Sequence, residues 1–196
     1  MPPLFVFNVS KAIQAIGVLL HTSSTSHMNY MRLLKLLYIA DRESLRDTGR
    51  PITGDRVMAM ERGPLPSTVY SLIKGQHMEA PRWNKFFHRQ RYEIGLTGEP
   101  GVGELSRYEI EKLEEIAQRY EDKDEWEMVQ LTHEFPEWKK NDPGQSARPI
   151  PVEDILEAVG RSQDIQLIIQ DEKDRATFDR LFNTPPKKPQ GSSQPS

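Results

Sequence analysis

The chain has 196 residues, 36% hydrophobic and 28% charged, with a formal net charge of −3. This size and balance fit one globular domain, or a domain with a tail, and exclude a generic polyanion binder; a nucleic-acid role would need a local basic patch. The lack of cysteine excludes disulfides, thiolate zinc sites and cysteine nucleophiles, and fits a reducing compartment.

The N-terminal MPPLFVFNVSK has no basic region ahead of its apolar residues and makes a poor signal peptide. No apolar run reaches the roughly 18 residues of a membrane span, so a cytoplasmic location is expected. Ser10 is a fair N-cap for a first helix through Ala12, Ile13, Ile16, Leu19 and Leu20, broken by the polar cluster His21 to Ser26. A second helix follows from about His27 to Asp47, with Gly49 closing it. Gly49 to Asp55 is a loop on turn chemistry, Arg56 to Glu61 a short strand, and Gly63-Pro64-Leu65-Pro66 a rigid turn. A helix from Ser67 stops at Gly75.

Trp83 to Phe87 is expected to make a helical turn. His88 to Leu96 alternates like a half-buried strand. Ser106-Arg-Tyr-Glu109 is a capping box opening a helix to about Tyr120. A short helix over Trp126 to Leu131 precedes His133-Glu-Phe-Pro-Glu-Trp138. Asp142 to Pro151 reads as a loop, Pro151 as the first residue of a helix ending near Gly160, and Ser162 as the cap of a last helix to about Phe182. The expectation is an α+β, predominantly α-helical single domain over residues 1–183, with a central buried helix and a small antiparallel sheet. Residues 184–196, TPPKKPQGSSQPS, are expected to be a flexible tail.

The second helix is the most informative. At about 100° per residue, Leu33, Leu34, Leu36, Leu37, Tyr38, Ala40 and Leu45 cover most of its circumference. A narrow strip remains for Arg32, Lys35, Arg42 and Arg46, with Ile39 inside it. It reads equally as a solvated face or as a docking surface for an acidic partner, with Ile39 the anchor. Asp41 projects between Leu34 and Leu37 into the core. Buried there it must be paired, and Arg56 and the amides of Ile52 to Asp55 are the candidate partners. Gly63 and Pro64 read as structural. The last helix carries two apolar stripes, one of Ile165, Ile168, Ile169 and Ala176, the other of Leu167, Phe178, Leu181 and Phe182, so one faces either another layer or another chain.

Gly98-Glu-Pro-Gly-Val-Gly103 imitates the start of a phosphate-binding loop, but Glu104 and Leu105 stand where Lys and Ser or Thr are required. His133-Glu134 has no second histidine at helical spacing, the five histidines are scattered, and no GxSxG elbow occurs. No cofactor, metal or catalytic residue is expected. His133 and Trp138 read as anchors of a loop against the core.

Lys35-Leu-Leu-Tyr-Ile-Ala-Asp41, Gly49-Arg-Pro-Ile-Thr-Gly-Asp-Arg56, Glu61-Arg-Gly-Pro-Leu-Pro-Ser67 and Tyr70 together resemble the Panacea domain, the SocA-like antitoxin family often encoded in prophages. The capping helix at Ser106 and the segment His133 to Trp138 resemble its later part. The likeness covers roughly residues 8 to 160. It implies a mostly helical bacterial antitoxin that binds and silences a co-encoded protein toxin. One relative is thought to deliver its toxin to an energy-dependent protease, so an adaptor is the alternative, and a hydrolase with a site near His133 a third. Membrane contact and direct nucleic-acid binding are not expected; homo-oligomerisation is left open.

Overall fold

The computed structural model describes residues 4–144 and 146–182. The expected tail, 184–196, lies outside the described residues. Helix α1 spans Val9–Thr22 and starts two residues early: the Asn8 side chain, not Ser10, caps it by accepting from the Lys11 amide at 3.0 Å. His27–Asn29 is a strand, β1, where the helix was expected to begin. Asn29 then caps α2, Tyr30–Thr48, by accepting from the Met31 amide at 2.9 Å. Gly49 closes α2 in the left-handed conformation, φ 77°, as read from sequence.

Val57–Met60 forms β2, and Gly63–Pro66 forms β3, a strand rather than a turn. β3 pairs antiparallel with β2 and lies at the sheet edge, where the missing proline N–H groups cost nothing. Helix α3 is Ser67–Ile73. Its cap bond comes from outside the helix: the Asp55 carboxylate accepts from the Thr68 and Val69 amides at 3.0 and 2.8 Å. Helix α4 is Ala80–Trp83, so the expected turn sits three residues earlier, because Phe87 begins β4.

The expected strand 88–96 is a hairpin of β4, Phe87–Gln90, and β5, Glu93–Leu96, with the turn at Arg91, φ 56°. Ile94 is fully buried while Tyr92 is 65% exposed, so the alternation does not run through the turn. Two three-stranded antiparallel sheets result, ordered β1-β5-β4 and β3-β2-β6, the last strand being Arg148–Pro149 inside the expected loop.

Helix α5, Arg107–Arg119, opens on the Ser106–Glu109 capping box. Asp124 and Glu127 build a second box on α6, Glu125–His133. Helix α7 is Pro136–Lys140 and α8 Val152–Ala158, with Pro151 one position earlier than expected, at the cap. Ser162 opens a 3-10 turn rather than capping α9, Ile165–Phe182.

The chain is thus predominantly helical with small sheets, and α2 is its axis: 12 of its 19 residues are buried. Leu33, Leu36, Leu37 and Ala40 join α1, α5 and α6 in the larger core cluster. Tyr38 and Leu45 belong to a second cluster with Val57, Ile150, Ile155, Leu156 and Ile168. Each buried leucine contributes about 1.5–3 kcal/mol, so α2 bonds the two halves together. No helix among the described residues is long and apolar enough to cross a membrane.

Candidate partner-binding surface

The basic strip of α2 is not an open surface. Ile39 is 2% exposed and packs in the larger core, and Lys35 is 1% exposed. Arg32 donates from Nε to the Lys123 carbonyl at 2.8 Å and from Nη2 to the Tyr120 carbonyl at 3.0 Å, tying α2 to the turn past the end of α5. Arg42 donates Nε and Nη2 to the two Glu137 oxygens at 2.6 and 3.3 Å, and lies 4.4 Å over the Phe135 ring. Only Arg46 is exposed, and it donates to Asp47 at 2.8 Å and Glu43 at 3.3 Å. Lys35 and Ile39 lie inside the fold because α5, α6, α7 and β3 close over this side of α2, which its own periodicity does not encode.

Glu137 is the hub of that closure. Its side chain is fully buried, and Oε1 also accepts from the Tyr38 hydroxyl at 2.6 Å. Burial, then the Glu137 charge, pushes the Tyr38 phenol well up, so it stays a donor. Beside it, Glu43 accepts from Arg119 and, at 3.2 Å, from Lys112. Burial there works against ionisation, but those donors outweigh it and hold the carboxyl below its ordinary range.

Asp41 is buried, and its Oδ1 accepts from the Ile52 and Thr53 amides at 2.8 and 2.9 Å, with Oδ2 accepting from the Thr53 hydroxyl at 2.5 Å. The Arg56 side chain is exposed and is not among these partners. Burial raises the Asp41 carboxyl to about 6 against the pull of its three donors, so at neutral pH it is still the anion that fastens the 49–55 loop to α2.

On another side of α2, Lys35 donates Nζ to the Pro64 carbonyl at 2.7 Å. No carboxylate pairs with it among the described residues, and burial lowers the amine to about 7. Gly63 lies against it with φ 87°: a Cβ there would stand 2.9 Å from Lys35 Nζ and 2.7 Å from Thr132 Oγ1. Gly63 and Pro64 therefore bring β3 close to α2 and α6, and the lysine clamps the strand.

His133 stacks on Trp138 at 4.0 Å, and the Trp138 indole donates to the Met60 carbonyl at 3.2 Å. Burial lowers the His133 imidazole, and its Nε2 has no protein partner. No group of three or more His, Asp or Glu among the described residues could hold a metal ion. In the Gly98–Gly103 bend, Pro100 packs on α1 at Gly17, where a Cβ would meet its ring at 2.6 Å, and the Glu104 amide donates to Gln14 at 2.8 Å. The bend is strapped to a helix.

Aromatic and apolar groups reach the surface elsewhere. Tyr30 lies between Tyr70 and Tyr92 at 6.3 and 6.2 Å, with Lys74 and Arg89 over its ring. On α9, Leu167, Phe178, Leu181 and Phe182 are 58–70% exposed. The first cluster escaped the sequence because its members come from α2, α3 and the β4–β5 hairpin, far apart in the chain; the second was visible as an extra stripe.

A family model described as Antitoxin SocA-like, Panacea domain, matches residues 33–139. The chain belongs to this family. No curated protein and no solved structure gives a match to set beside it. The Panacea match starts inside α2 and ends inside α7, so it encloses Lys35, Asp41, Arg42, Gly63, Pro64, His133 and Glu137, the polar contacts that close the domain over α2. Membership supports an antitoxin role and points away from an enzymatic one.

Proposed function

We propose that this chain is the antitoxin of a toxin–antitoxin pair and neutralises a co-encoded protein toxin by binding it directly. The observation that carries the reading is the Panacea match over residues 33–139. The chemistry agrees with it: Lys35, Asp41 and Arg42 tie α2 to its neighbours, and His133 packs against Trp138. A domain of this kind works by contact, and contact requires an exposed face with a complement on the partner.

The experiment is to express the adjoining reading frame alone and together with this chain. Growth arrest by the first and rescue by the pair, with the two proteins copurifying as one species, is expected. Rescue without copurification, while the toxin's cellular lifetime shortens, replaces direct blocking by delivery to a protease.

A further inference from the structure

We propose that the outer face of α9 is the surface that holds the toxin, and that its complement is a basic, amphipathic helical segment. This rests on the antitoxin reading above.

Leu167, Asp171, Asp174, Phe178 and Leu181 follow one another at spacings of four, three, four and three, and so share one side of the helix. The opposite side does the anchoring: Ile168 is 8% exposed in the second core cluster, and Glu172 meets Arg50 at 2.5 Å. Beyond Glu172, residues 173–179, 181 and 182 are all exposed. Leu167, Phe178, Leu181 and Phe182 are 63%, 58%, 70% and 68% exposed, and the Phe178 and Phe182 rings lie 4.5 Å apart. A helix that lines a cavity with residues 4–9 and 50–54 on one side, through Glu172, Arg175, Ala176 and Asp179, and still keeps a paired-ring apolar side exposed has the pattern of one that buries that side on a partner.

The aspartates say which partner. Asp171 and Asp174 are both exposed and sit in the middle of the stripe, between Leu167 and Phe178. A second copy packed in parallel would set each against its own mate. Packed antiparallel about the centre of the stripe, it would set Asp174 against Asp174. Either arrangement desolvates like charges at the seam. Asp174 Oδ1 accepts a local bond from Gln170 at 2.8 Å, and an exposed carboxylate has acceptor capacity beyond that one bond. The complement is therefore apolar at both ends, with Lys or Arg opposite the two carboxylates.

The test uses the full chain with two probes, a labelled synthetic Leu/Lys heptad peptide with its Leu/Glu counterpart, and the product of the adjoining toxin gene. The wild type should bind the Leu/Lys peptide in preference to the Leu/Glu one, with affinity falling as salt rises. Phe178→Glu/Leu181→Glu should weaken the Leu/Lys peptide and the toxin by about tenfold or more with an unchanged melting curve. Asp171→Lys/Asp174→Lys should reverse the peptide preference. Toxin bound and neutralised equally by wild type and both variants overturns the α9 surface and leaves the antitoxin reading standing. A wild type that neither binds nor neutralises the toxin removes that reading itself. A wild-type dimer abolished by Phe178→Glu/Leu181→Glu makes a second copy the occupant and overturns the proposal.

Discussion

Lys35 combines burial of 99% with the lack of a carboxylate partner among the described residues, and its amine falls to about 7. The unfolded chain keeps this proton to about pH 10. Between those values unfolding takes up a proton, so the contribution of Lys35 to stability rises with pH through that window and is flat below it. Urea unfolding at pH 7 and pH 9 should show a gain of about 2 kcal/mol attributable to this residue, and Lys35→Met should remove that part of the slope. An unchanged slope in the variant would mean the amine stays charged in the fold. Asp41 behaves in the opposite sense. Its carboxyl, raised to about 6 chiefly by burial, makes stability fall as pH rises from about 4 to 6. Removing it is nevertheless costly: Asp41→Ala strands the Ile52 and Thr53 amides in the interior and should lower unfolding free energy by about 2–4 kcal/mol in urea titrations.

At the scale of elements, α2 and α7 are tied by one carboxylate. Glu137 takes both nitrogens of Arg42 and the Tyr38 hydroxyl, from a helix of five residues that has little packing of its own. Glu137→Ala leaves a half-buried guanidinium unpaired and should cost about 3–5 kcal/mol, whereas Arg42→Met/Glu137→Leu should cost less than the single change. A double-mutant cycle by chemical denaturation reads the difference, and simple additivity would show the pair to be solvated. This contact also marks where sequence reading stops. The burial of Asp41 and its loop partners was legible because a carboxylate among leucines admits few solutions and its donors lie only 11 and 12 residues away. The Ser106 capping box and the Gly49 stop were legible because their chemistry is local. Arg42, Lys35 and Ile39 were misplaced on an open strip because what covers them comes from β3 and from residues nearly a hundred positions away. Residues 88–96 were read as one strand because the hairpin's turn uses Arg91, a residue that rarely takes positive φ.

For the molecule as a whole, the question is which surface is free to meet another protein, and two arginines separate the candidates. Arg42 is committed to Glu137, so Arg42→Glu places two carboxylates together in a buried site and should cost about 3–5 kcal/mol. Any loss of neutralisation in that variant reports folding. Among the described residues the Arg46 side chain, 46% exposed, bonds to its neighbours Glu43 and Asp47. Arg46→Glu breaks those surface pairs, each contributing about 0–1 kcal/mol, so the fold should survive it. If the α2 strip met the toxin, this variant alone would slow association and weaken binding in a salt-dependent way. The expected outcome is unchanged affinity and unchanged salt dependence, measured by titration of the toxin into the folded variant. The reason is geometric: Lys35 and Ile39, the central members of the strip, are inaccessible without opening the core. A weakened complex with an intact melting curve would return the interface to α2 and its arginines.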